Sequence, residues 1–339
     1  MKALPTIDIS ALFNGSEKER KKAADQMGEA AREIGFFRVK NHQISQNTIE
    51  NAYTMAQAFF AMSEEIKDAY YIGNSSNHRG YVPFTEKGDY ADEVSRNYEA
   101  FDLALDLPKD DPDFLNGNLL LGPNVWPSLI GFKETIYSYY QSVATVGQMI
   151  CSALELHLDL PDGTITQHMT KPISQLRLIH YVRPNEQTKS DSVNMGAHTD
   201  YECLTMLHQK HEGFQVLTLG DEWIDVPVDP ETYIVNIGDM LEAWTNGILR
   251  STPHRVLNLS PERFSMPYFV AANYDTVIQP LDQFVSADSP VKYEPFYAGQ
   301  HLERMLRRDF PYLRHRQNPE LALNSSSLVE NPFENRIAP

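Results

Sequence analysis

Cysteine is scarce: the 339 residues hold only Cys151 and Cys203. That excludes a disulfide framework and fits a reducing compartment, with both thiols expected as small core hydrophobes. No stretch offers 18 consecutive apolar residues, which speaks against a membrane-spanning helix. The opening MKALPTIDIS lacks an apolar run ending in a small-residue cleavage site, so no secretory signal is evident and a cytoplasmic location is expected. Positive charge is also short. Against 46 Asp and Glu stand 29 Lys and Arg, a net charge of −17 spread along the chain. Such a surface repels phosphate backbones and anionic lipid, which argues against nucleic-acid and membrane partners and leaves small molecules. Repeats and low-complexity tracts are absent.

What is present is a chain long enough to bury a sizeable core. LPTIDI (4–9) reads as a short strand, and Ser16 with Glu19 forms a capping-box pattern. Ala23, Met27, Ala30 and Ile34 then recur at helical spacing up to Gly35. GFFRVKNH (35–42) is strand-like and residues 48–62 look helical, whereas 73–127 read as irregular loops bordering a pocket. A long helical pattern fills 128–157, carried by Phe132, Ile136, Tyr139, Val143, Val146, Ile150 and Leu154; it has the length of a spine. After Pro161 short alternating runs take over, among them QLRLIHYV, LTMLHQ, FQVLTL, TYIVNIG, RVLNLS and SMPYFVAANY, separated by turn formers. Their spacing predicts an antiparallel sandwich or jelly roll. The expected architecture is mixed α/β, of the α+β kind. It comprises a helical N-terminal region (1–125), a spine helix with a jelly-roll core (126–285), and a C-terminal helix and tail (286–339), in one compact unit.

The chemistry begins in MGAHTDYECLTML (195–207). If this stretch is a strand, His198 and Asp200 share a face because side chains alternate. A neutral imidazole and a carboxylate so placed can bind a divalent metal; an isolated His-x-Asp also reads as a simple hydrogen-bonded pair. His254, in STPHRVLN, is the candidate third ligand, at a separation that a jelly roll readily folds back. Two histidines and a carboxylate suit iron(II) with open coordination positions, whereas zinc more often takes a different ligand set. In ERFSMPYF, Arg263 and Ser265 form another same-face pair. An arginine pointing into a sandwich needs an anion, and its fork with a neighbouring hydroxyl suits a carboxylate.

Together, MGAHTDYECLTML, STPHRVLN and ERFSMPYFV resemble the iron(II)- and 2-oxoglutarate-dependent oxygenases, in the branch that includes isopenicillin N synthase. The N-terminal run LPTIDISALF…AAREIGFFRVKNHQIS is similar to that branch's opening region, and the likeness extends over most of residues 4–285. It implies the double-stranded β-helix, a jelly roll. It also implies that His198, Asp200 and His254 ligate Fe(II), and that Arg263 and Ser265 bind the distal carboxylate of 2-oxoglutarate. Tyr181 falls where many members place a tyrosine beside the co-substrate, with Ile179 where many have asparagine, and Arg177 resembles an arginine near the co-substrate in some bacterial members. The resemblance further implies O2 as the oxidant and leaves ascorbate open as an accessory reductant. Asp200 favours hydroxylation or a related C–H oxidation, since halogenating relatives lack that carboxylate. Arg79, Tyr81, Glu86, Asn273 and Tyr274 are candidate substrate contacts, with Arg79 and Glu86 suited to an amino-acid-like molecule. Two rivals stay open: an oxidase on the same scaffold driven by ascorbate or the substrate, and a non-catalytic jelly-roll binding protein. His42, His157, His208 and His211 are expected not to bind metal, the last two as solvated residues of a polar turn. Oligomeric state is not legible.

Overall fold

The computed structural model describes residues 3–87, 96–182, 193–317 and 333. The chain opens with β1 (Thr6–Asp8), α1 (Ser10–Asn14) and α2 (Glu17–Glu33). Ser16 and Glu19 close the expected capping box, the side chain of each reaching the other's backbone N–H. Gly35, at φ +77°, follows the end of α2; a side chain there would strike the Arg250 carbonyl. β2 (Phe36–Lys40), α3 (Gln46–Phe60) and α4 (Glu64–Asp68) follow, then β3 (Gly80–Val82), β4 (Tyr98–Ala104), α5 (Pro112–Leu115) and α6 (Phe132–His157).

α6 is the spine. It packs on α2 and α3 from one side and on sheet strands from the other, burying Phe132, Ile136, Tyr139, Val143, Ile150 and Leu154. Each large apolar side chain so buried is worth about 1.5–3 kcal/mol.

The jelly roll comprises β5 (Gln175–Val182), β6 (Val193–His198), β7 (Leu204–Gln209), β8 (Phe214–Leu217), β9 (Trp223–Asp225), β10 (Tyr233–Ile237), α7 (Asp239–Trp244), β11 (His254–Leu257) and β12 (Glu262–Val270). A hairpin of β13 (Val277–Ile278) and β14 (Phe296–Tyr297) leads to α8 (Ala298–Asp309) and α9 (Pro311–Gln317). One sheet runs β1-β2-β10-β7-β12-β5-β4-β3, the other β6-β11-β8-β9. The chain thus passes repeatedly from sheet to sheet, and a cavity lies between the two. Among the described residues no helix is long and apolar enough to cross a membrane.

Three local expectations need correction. The stretch 73–127 is not irregular throughout, because β4 joins the large sheet beside β5. Its Glu99 and Asp102 broke the apolar pattern, yet both are buried in ion pairs, with Lys67 and Arg177. Nor is 195–207 one strand: β6 ends at His198, and Asp200 sits in the link to β7. Finally, His208 is fully buried in β7. Its Nδ1 accepts from the Tyr53 hydroxyl at 2.9 Å, and its Nε2 donates to the Pro230 carbonyl at 3.2 Å.

Burial pushes the His208 imidazole down to about 4. In the unfolded chain the ring takes its proton near pH 6.5. Between those values the unfolded chain binds more protons, so stability is lost as pH falls through that window, by about 3 kcal/mol from this residue. Thermal melts at a series of pH values are expected to show the drop, and His208→Gln to flatten it.

Candidate active site

The cavity measures about 380 Å³ and takes its walls from both sheets and from α8. That is near the lower end for a small-molecule pocket. β6 and β11 pair so that His198 and His254 stand directly opposite, their rings 4.3 Å apart. The His198 Nδ1 donates to the Gly196 carbonyl at 2.8 Å, and the His254 Nδ1 faces the Thr252 carbonyl at 3.4 Å. In both rings this leaves Nε2 as the atom turned to Asp200, and such backbone contacts fix a metal-binding tautomer.

Asp200 is brought into place by the link after β6. The Asp239 N–H at the start of α7 donates to the Asp200 carbonyl at 2.8 Å, and Met240 donates to that of Glu202 at 3.1 Å. Gly238 lies so close that an added Cβ would come within 2.3 Å of the Glu202 carbonyl. Thr205 and Asn236 both donate to the Asp200 Oδ2, the latter at 2.7 Å, so Oδ1 is turned to the histidines. It lies 3.8 Å from the His198 Nε2 and 3.6 Å from the His254 Nε2. Both spans fit two metal–ligand bonds of about 2.0–2.2 Å each. One ligand atom from each of the three residues meets the others within 4.8 Å.

The electrostatics suit a cation. Burial pulls the Asp200 carboxyl upward, but His254, His198 and the two hydrogen bonds outweigh it and hold it below the usual carboxylate range. Burial and His198 push His254 down to about 4, so at neutral pH it offers a lone pair. An ionised carboxylate and neutral imidazole nitrogens form a donor set that iron(II) accepts.

Deeper in the same cavity is the predicted clamp. Arg263 is only 2% exposed and, among the described residues, pairs with no carboxylate. Its Nη1 donates to the Ser265 Oγ at 3.1 Å and its Nη2 to the Gln209 Oε1 at 3.0 Å, with the guanidinium 4.7 Å from the Tyr181 ring centre. Sheet register collects these groups, because Arg263 lies opposite Tyr181 on β5 and Ser265 opposite Gln209 on β7. Among the described residues the Arg263 Nε has no hydrogen-bond partner. A buried cation left so is costly, and the spare donors fit an incoming carboxylate.

Arg177 shares the β5 face with Ile179 and Tyr181 and lines the cavity, but its charge is already met. Its Nε and Nη2 donate to both oxygens of Asp102 at 2.7 Å. The five expected substrate contacts do not border the cavity. Arg79 spends its guanidinium on the carbonyls of Asn77, His78 and Leu120. Tyr81 donates to Glu99, Glu86 accepts from Tyr71 and Arg96, Asn273 serves Lys171 and Thr170, and Tyr274 donates to Glu303. These groups satisfy their own loops, which a linear reading cannot separate from groups facing a ligand.

Missed by that reading were Thr205, Gln209, Asn236 and Glu202, which line the cavity or support its groups. For Thr205 and Asn236 a signal existed: each is a polar residue inside an otherwise apolar run, where burial demands a partner; Gln209 and Glu202 stand near other polar residues and carried none. Burial and Asp200 push Glu202 up to about 8.

A profile described as the non-haem dioxygenase in morphine synthesis N-terminal matches residues 4–129, and one for the 2OG-Fe(II) oxygenase superfamily matches 173–272. Homoarginine-6-hydroxylase of Glycine max is 32% identical across 91% of this chain and 97% of its own. The chain belongs to the 2OG-Fe(II) oxygenase superfamily. Solved structures agree. A 2OG-Fe(II) oxygenase family protein from Caulobacter crescentus superimposes with a TM-score of 0.78 at 30% identity, covering 91% of this chain and all of that one. A full-length Neurospora crassa protein, solved in complex with alpha-KG and thymine, also gives 0.78, at 25% identity over 91% and 97% of the two chains. This oxygenase is therefore an iron(II)- and 2-oxoglutarate-dependent enzyme. It couples decarboxylation of 2-oxoglutarate, to succinate and CO2, with hydroxylation or a related C–H oxidation of a small molecule.

Proposed function

We propose that His198, Asp200 and His254 hold the iron. Arg263 and Ser265 anchor the distal carboxylate of 2-oxoglutarate, with Tyr181 stacked on the guanidinium. The observation that carries this is the buried, carboxylate-free Arg263 opening on the same cavity as the triad. When bound, iron(II) and 2-oxoglutarate supply the oxidising chemistry with O2. The chain's own part is geometric. Gly196 and Thr252 aim the two histidines, Thr205 and Asn236 aim the carboxylate, and Gln209 and Ser265 hold the guanidinium fork. Arg177, held by Asp102, serves the wall of the substrate compartment rather than the clamp.

Leu302 and Leu306 of α8, with Phe310, cover the cavity with apolar surface that excludes water and receives a small substrate. The relatives' activities, on homoarginine in one case and with bound thymine in another, support a small nitrogen-containing compound. An amino-acid-like substrate no longer has Arg79 or Glu86 to meet it; such a molecule would find polar groups at Arg177 and Glu202 instead. Buried, unpaired Cys151 and Cys203 support a cytoplasmic setting. The N-terminal run supports the isopenicillin N synthase-like branch.

Anaerobic addition of iron(II) and 2-oxoglutarate is expected to give a visible metal-to-ligand charge-transfer band. Absence of that band, with the protein folded, would sink the assignment.

A further inference from the structure

We propose that Glu202 selects the substrate, and that its partner is a cationic nitrogen, an ammonium or guanidinium group, on a compact molecule with an apolar body. This rests on the reading above, in which the triad takes iron and Arg263 takes the co-substrate. Glu202 lines the cavity, is only 6% exposed, and follows Asp200 by two positions in the link pinned by α7. It stands apart from the metal triad: the ligand atoms that meet within 4.8 Å come from His198, Asp200 and His254. Among the described residues its carboxyl makes no salt bridge and no hydrogen bond to another side chain; its own backbone N–H is the hydrogen-bond donor that meets it.

The neighbouring charges are all matched. Arg177 is paired with Asp102 at 2.7 Å, Arg96 with Glu86 at 3.0 Å, and Arg308 with Asp309 at 2.9 Å. Arg263 is reserved for the co-substrate. On the substrate side, Glu202 is then the acidic group left without a salt bridge among the described residues. A buried acid without a salt-bridge partner is costly to ionise, and a ligand that brings a cation offsets that cost. Elsewhere along the cavity wall, Ile179, Leu302, Leu306 and Phe310 offer hydrophobic contact, which suits an apolar body behind the charged end.

The test uses the full chain loaded with manganese(II) and 2-oxoglutarate, titrated calorimetrically with matched probes. n-Butylguanidinium and benzylammonium are compared with n-pentanoate and benzyl alcohol. The cations are expected to bind about ten-fold more tightly than their counterparts, the size of a charge-assisted hydrogen bond. Glu202→Gln is expected to erase that preference and to leave the affinity for 2-oxoglutarate unchanged, while Glu202→Asp keeps the preference. Equal or absent binding of the two probe sets by the wild type, or a preference surviving in Glu202→Gln, overturns the assignment. Should Glu202→Gln fail to fold, the wild-type comparison still decides. Failure of the wild type to bind 2-oxoglutarate would instead overturn the clamp on which this proposal stands.

Discussion

Arg263→Met is expected to raise the KM for 2-oxoglutarate about 100-fold or more, while iron(II) binding persists. Removing one partner of a buried ion pair costs about 3–5 kcal/mol, and the co-substrate's carboxylate would be left facing methionine. The free enzyme should respond with the opposite sign. There Arg263 is a buried cation with no carboxylate beside it among the described residues, only Ser265, Gln209 and the Tyr181 ring. Replacing it with an apolar side chain of comparable length removes an uncompensated charge, so the melting temperature of the unloaded protein is expected to rise. Added 2-oxoglutarate, which stabilises the wild type by mass action, should then shift the variant little. Arg263→Lys keeps the charge but loses the planar fork and should fall between the two. Steady-state kinetics and paired thermal melts measure both effects. An unchanged KM would remove Arg263 from the clamp.

Asp200→Ala is expected to abolish turnover, by about 1000-fold or more, with parallel loss of iron(II) affinity. The carboxylate is the one anionic member of the triad, and two imidazoles alone supply neither the charge nor the third coordination position. Loss of a supporting hydrogen bond to a metal ligand typically costs 10–100-fold, so loss of the ligand itself should exceed that range. The variant also strands two buried donors, the Thr205 hydroxyl and the Asn236 amide, at about 1–3 kcal/mol each. A melt must therefore accompany the assay to show the protein folded. Iron binding by equilibrium dialysis and succinate formation are the readouts. Turnover near wild type would refute the triad.

The candidate site residues themselves were legible in the chain. His198, Asp200, His254, Arg263 and Ser265 were each found from residue type and spacing, and the structure brings all five to one cavity. The reason offered for the first pair was incomplete. Strand alternation does not place Asp200, because β6 stops at His198; the carbonyls of the following link are held by the first turn of α7. Spacing still picked out two side chains that meet in space, because a short link after a strand end leaves Asp200 within reach of His198 and of the neighbouring strand. Arg79 and Glu86 show the reverse. Their chemistry suited a substrate, but nearby carbonyls and side chains consume it.

By itself the sequence determined the elements and the reacting groups: capping residues, the apolar stripe of α6, alternating strands, and side chains whose chemistry suits a metal and a carboxylate. These depend on local periodicity and residue type, which linear order preserves. Only the tertiary structure decided which charges are spent and which are free. Asp102 neutralises Arg177 from the adjacent strand, Gln209 braces Arg263 from 54 positions away, and α8 closes over the cavity from beyond the jelly roll. Such pairings bring together groups far apart in the chain, and a charge's energy depends on the neighbours it meets in space.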